Sequence, residues 1–127
     1  MGFYNGDNNS IQGVAEAAIS KGDCVVLGTV ATNGQYVTPA GAGEIGIGFA
    51  AEDIAAEGVG QIIVSGVAQA LAHDNAISAG NWLKAAAAGR VDGTTTDTNV
   101  LVAIALGASS AQDDLIDVLI VHGMHAG

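Results

Sequence analysis

The chain has 127 residues, enough for one domain with a real core or two closely packed halves; 50% of them are hydrophobic, only 4% aromatic, and 19 are Gly. Three Lys plus Arg stand against 13 Asp plus Glu, a formal net charge of −10 that excludes nucleic-acid binding by phosphate neutralisation. With charged residues at 13%, a lone monomer covers its surface poorly, so part of the apolar surface is expected to be hidden in an oligomer or against a partner.

Residues 1–10 are polar and rich in Asn and Gly, which predicts a flexible N-terminal arm ahead of a single β domain over 11–127. The arm carries Phe3, Tyr4 and Asn5, and aromatics on a mobile arm exist to be buried elsewhere, on a neighbour or on the parent domain. It has neither the basic region nor the apolar stretch of a signal peptide, and Gly6 stands where a myristoylation signal has Ser or Thr. No apolar run reaches the ~20 residues of a membrane helix, because Gly, Asp or Glu interrupts each one.

Ile11 to Ile19 reads as a strand that ends at the turn Ser20-Lys21-Gly22-Asp23. Cys24 to Ala31 is a β-rich run, and Asn33-Gly34 predicts a hairpin returning through Gln35 to Thr38 before Pro39 to Gly43 breaks the chain. Cys24 has no partner for an intrachain disulfide and sits in an apolar run, which marks it as a small buried hydrophobe. Glu44 to Ala50 alternates Ile45, Gly46, Ile47, Gly48, Phe49; such alternation predicts a strand with one apolar and one bare face, where another backbone can come close, so Ile45, Ile47 and Phe49 are candidate partner-binding residues. The remaining predicted strands are Gln61 to Ala68, Trp82 to Ala85, Gly89 to Asp92, Val100 to Leu106 and Ile116 to Val121. Ala85 to Ala88 and AAEDIAAEGVG favour helix on propensity alone, but position in the pattern assigns them to strand ends and acidic turns.

The chain says almost the same thing twice. AISKGDCVVLGTVA from Ala18 is echoed by AISAGNWLKAAAA from Ala76, IGIGF by VAIAL, and IIVSG by LIVHG, at an offset of about 57 residues. The pseudo-repeats run over about 18–66 and 76–123 and predict an all-β fold, a compact barrel or sandwich built from two such units. Two half-barrels related by a pseudo-two-fold axis are the simplest construction, each exposing its inner face without the other.

Candidate chemistry is sparse. Gly41 to Gly46 (GAGEIG) matches a dinucleotide fingerprint, but Glu44 inside the loop opposes a phosphate and the second repeat lacks the glycines. His122 and His125 form an H-x-x-H pair without a third metal ligand, and His73-Asp74 lacks a nucleophile. Glu52, Asp53 and Glu57, with Asp113, Asp114 and Asp117, fall in equivalent acidic loops without the Ca²⁺-loop pattern. The reading is therefore no enzyme, no metal, no cofactor.

The order KGDCVVLGTVAT, IGIGFAAEDIAAEGVGQIIVSGVAQA, ISAGNWLKAAAAGRVDG, LVAIALGASSAQDDLIDVLI resembles the capsid decoration (cement) proteins of tailed bacteriophages over about residues 11–121. The resemblance implies a non-enzymatic virion protein, made in the host cytoplasm, that sits as a homotrimer on the outer surface of an expanded icosahedral head and clamps neighbouring major capsid protein subunits. By resemblance the contact surface includes the arm, and neither nucleic acid nor membrane is a partner. Alternatives are a head-fibre base or tail protein, and a small ligand- or carbohydrate-binding β module, which the single Trp82 disfavours.

Overall fold

The computed structural model describes residues 9–31, 34–73, 77–94 and 100–124. Their strands are β1 (Asn9–Ala15), β2 (Cys24–Ala31), β3 (Gly34–Pro39), β4 (Gly48–Ala50), β5 (Val59–Ser65), β6 (Val67–Leu71), β7 (Trp82–Ala85), β8 (Val91–Gly93), β9 (Val100–Ala105) and β10 (Leu115–Met124). A single 3₁₀ turn, Ala87–Gly89, is the only helical element among the described residues. The all-β expectation holds, and so do the acidic turns.

β1 to β5 close a barrel in the order β1-β3-β2-β4-β5, with β1 and β3 parallel and every other pair antiparallel. The second sheet runs β6-β10-β9-β7-β8, and a parallel bridge from Ala72 to Val91 links its two outer strands. Going round that ring gives the same order as the first barrel, strand for strand. Each repeat therefore closes on itself, in place of the two open half-barrels expected. The repeats are also wider than the sequence echo, since they include β1 and β6.

Hydrogen bonds repeat as faithfully as strands. The Ser20 amide donates to Asp23 Oδ2 at 2.9 Å, as Ser78 donates to Asn81 Oδ1 at 2.8 Å. The Ile54 amide donates to the Ile19 carbonyl, as Ser109 donates to Ile77; the Glu57 amide donates to Ala15, as Asp113 donates to Ala72. Glu57 and Asp113 both take left-handed backbone, at φ 67° and 70°. The seven interior residues of the first barrel, Ala15, Ile19, Val25, Val37, Ala50, Ile54 and Ile62, form one buried cluster. By strand register and turn bonding their counterparts are Ala72, Ile77, Leu83, Val91, Ala105, Ser109 and Val118, all buried.

Several boundaries move. The strand predicted from Gly89 to Asp92 starts only at Val91, because Ala87–Gly89 forms the 3₁₀ turn with Ala88 and Gly89 in left-handed backbone. Gln61 to Ala68 is not one strand: the chain turns at Gly66, φ 94°, and passes from one barrel to the other. The strand predicted from Ile11 to Ile19 starts at Asn9 and ends at Ala15, so Asn9 and Ser10 pair with β5 while residues 1–8 of the expected arm lie outside the described ones. The alternating run is a strand only from Gly48. At Gly48 the close approach is by backbone, as expected, since a methyl there would collide with the Ile63 carbonyl oxygen; at Gly46 it is by a side chain, Cys24 Sγ.

Candidate interaction surface

The sequence-predicted site residues separate in space. Phe3, Tyr4 and Asn5 lie outside the described residues. Ile45 is 70% exposed beside Leu27, itself 57% exposed. With Val26, Gly43, Glu44 and Ile47 they line a shallow hollow of about 430 Å³. Ile47 is half-buried and packs on the first barrel's interior. Phe49 is different: its ring is fully buried, because it points away from the first barrel into the core shared with the second, which removes it as a partner-binding residue. Leu27 carries no signal of exposure in the sequence, because it closes the apolar run Cys24-Val25-Val26-Leu27.

The groups with catalytic or ligand-binding potential are occupied in holding turns. Glu44 accepts the amide of Gly41, so the GAGEIG loop spends its donor on its own carboxylate and has none to offer a phosphate there. Asp53 accepts the Lys21 amide at 2.8 Å, and Glu52 the Gln61 amide at 3.2 Å. Asp114 accepts the amides of Ser110 and Ala111 and the Ser110 hydroxyl, which lowers its pKa below the usual carboxylate range. Among the described residues no three His, Cys, Asp or Glu side chains form a metal-binding group. His73 pairs through Nδ1 with Asp92 at 3.1 Å; Asp74 and His125 lie outside the described residues, and His122 is exposed. Burial pushes the Cys24 thiol up to about 12, which removes it as a nucleophile at neutral pH.

Two latches occupy equivalent places. Tyr36 donates its hydroxyl to Glu57 Oε1 at 2.6 Å in the first barrel, and Arg90 pairs with Asp113 in the second. Tyr36 lies in β3 and Arg90 immediately precedes β8, and each is joined to the left-handed residue of its acidic turn. The glutamate raises the Tyr36 pKa by accepting its proton in a hydrogen bond; the guanidinium lowers that of Asp113. Between the barrels lies a cleft of about 290 Å³ lined by Lys21, Ala50, Ala51, Ile63, Val67, Ala68, Gln69 and Asp117. One cation and one carboxylate over an alanine floor make it a seam between packed units, at the lower limit of small-molecule sites. No helix among the described residues is long and apolar enough to cross a membrane.

The solved head fibre gp8.5 N base of bacteriophage phi29 shares this fold, with a TM-score of 0.74, 14% identity, and coverage of 94% of this chain and 99% of that one. No curated protein sequence matches. Residues 5–120 match the phage cement protein family, a span that takes in both barrels. The chain belongs to the phage cement protein family and is a structural protein of the virion, bound to the capsid.

Proposed function

We propose that the protein decorates the outer surface of an expanded icosahedral head and clamps neighbouring major capsid protein subunits against internal pressure, with no catalytic role. The family match over residues 5–120 carries this reading. The exposed apolar hollow around Leu27 and Ile45 supports it, since a surface with net charge −10 keeps such a patch for a partner. Contact is made by this hollow together with the arm residues Phe3, Tyr4 and Asn5, with main-chain pairing at a strand edge adding to the attachment. Homotrimeric docking then converts weak single contacts into tight attachment. Neither nucleic acid nor membrane is engaged, and the protein is made in the host cytoplasm.

The test is co-sedimentation with heads lacking the protein, expanded and unexpanded. Saturable binding at many sites on expanded heads is expected, weakened at least tenfold by Ile45→Asp and by deletion of residues 1–8 while the fold persists. Unchanged binding by both variants would overturn the assigned contact surface, and no binding to either head form would remove the decoration reading. The likeness to a head fibre base favours a second reading, attachment as the foot of a fibre. That reading predicts occupancy of few sites per head.

A further inference from the structure

The two barrels bury equivalent surfaces unequally. On the outside of the first barrel, Cys24, Phe49 and Ile63 form one cross-strand row over β2, β4 and β5. Cys24 and Phe49 belong to the buried cluster of the second barrel, and Ile63 packs against it. The equivalent row on the second barrel is Trp82, Ile104 and Leu119, over β7, β9 and β10. It leaves 41% of Trp82 and 39% of Leu119 in solvent. A two-fold relation would bury both rows together. The barrels are instead stacked head to tail, with the row of the first seated on the second.

The seat is also identifiable. The Gly22 turn of the first barrel lies under Leu71 and Leu115 of the second: a methyl at Gly22 would sit 2.6 Å from Leu115 Cδ2 and 3.2 Å from Leu71 Cγ, and the Leu71 amide donates to the Gly22 carbonyl at 3.0 Å. Gly80 is the equivalent of Gly22, with φ 92° against 89°, and nothing lies within 4 Å of a methyl placed there. On the first barrel the equivalents of Leu71 and Leu115 are Val14 and Val59, paired across β1 and β5. Val59 is 62% exposed, and Ile11 on the same strand pair is exposed as well. The chain thus uses one knob and one seat internally and presents a second seat at one end and a second knob at the other.

We propose that the exposed row Trp82–Ile104–Leu119 and the Gly80 turn dock on the β1–β5 face around Val14 and Val59 of a second copy, repeating between chains the barrel-to-barrel contact made within one. Such a contact is heterologous, so a ring closes when the rotation per chain divides a full turn, and every barrel in it then has a covered row. The contact is apolar between chains of net charge −10, so added salt strengthens it. It stands independently of head attachment, because it is read with no head present.

The test is sedimentation equilibrium of the wild-type protein, Leu119→Asp, Val59→Asp and an equimolar mixture of the two variants. Both substituted side chains point outward, and far-UV circular dichroism with a thermal melt checks their folding. Wild type is expected to oligomerise, each variant to be monomeric over at least a tenfold higher concentration range, and the mixture to form only 1:1 dimers, since it holds one intact knob and one intact seat. A readout without substitution comes from Trp82, the one tryptophan, whose emission should shift to the red on dilution. A monomeric wild type with unshifted emission, variants that associate like wild type, or a mixture that stays monomeric would each overturn the proposal.

Discussion

The first barrel is filled and self-contained, whereas the second shares its interior with its neighbour. Ile54 and Ile62 of the first correspond to Ser109 and Val118 of the second, whereas Val25 and Gly60 correspond to the larger Leu83 and Ile116, so the two interiors are filled from different positions. Its β6 and β8 edges meet through one bridge, where β1 and β3 pair at two residues. The buried cluster of the second barrel takes in Cys24, Ala40 and Phe49 from the first. Backbone order repeats because turns and registers repeat; filling and cover are free to diverge, and here the outer row of the first barrel is covered by the second.

The strongest way to break this contrast is to truncate equivalent outward residues. Phe49→Ala should cost about 3–5 kcal/mol, because the ring is fully buried and leaves a cavity in the shared core. Ile104→Ala at the equivalent position should cost about 1–2 kcal/mol, since that side chain is only half-buried. Urea unfolding of both variants checks the difference; equal costs would mean that the two rows are covered alike.

Interior filling is probed next. Ile54→Ala should cost about 2–4 kcal/mol, and Ser109→Ala about 1 kcal/mol through loss of the hydrogen bond its Oγ accepts from the Ile77 amide. The same unfolding curves, read as midpoint shifts, separate these values.

The latches give opposite pH dependences. Tyr36 has its pKa raised above 10.0 by its hydrogen bond to Glu57, so it contributes stability that is complete below the ordinary tyrosine value and lost as pH rises through the raised one. Asp113 and Asp114 have theirs lowered below 3.8, by Arg90 and by the Ser110 and Ala111 amides; they contribute stability above the ordinary carboxylate value that is lost as pH falls through the lowered ones. Asp23 acts against this acid loss: burial raises its pKa, so its contribution is greatest below 3.8 and declines as pH rises. Thermal melts across pH should show Tyr36→Phe flattening only the alkaline limb and Asp113→Asn only the acid limb. Either substitution altering both limbs would contradict separate latches.

A small effect sharpens the picture at one turn. Ala88 is exposed at φ 58°, a left-handed position with no counterpart among the described residues of the first barrel, and Ala88→Gly should stabilise by about 0.5–1 kcal/mol. A Tm rise of a few degrees checks it; a fall would show that the alanine methyl makes a useful contact.

Much of this fold was legible in the residues. The AIS-x-G-[DN] echo marks the paired turns because Gly22 and Gly80 both need left-handed backbone and Asp23 and Asn81 both close the turn with a side-chain oxygen. Self-closure of each barrel was not legible, since β1 and β6 are too unlike in side chain to reveal that both pair twice: Ile11, Gly13 and Val14 stand against Ala68, Ala70 and Leu71. Alternation correctly marked Gly48 and Phe49 as strand but not which way Phe49 points, because both sides of β4 are buried, one by each barrel. Ile45 was recognisable as a partner-facing residue only as part of that run; its exposure comes from the chain leaving the sheet before Gly48.

The most direct test of the cement role is the disruption temperature of DNA-filled heads lacking the protein, measured by dye access to DNA during heating with and without saturating purified protein. Decoration should raise the temperature at which DNA becomes accessible, and Ile45→Asp at equal concentration should raise it less. An unchanged disruption temperature at demonstrated full occupancy would contradict clamping and leave the protein as a bound but non-reinforcing part of the virion.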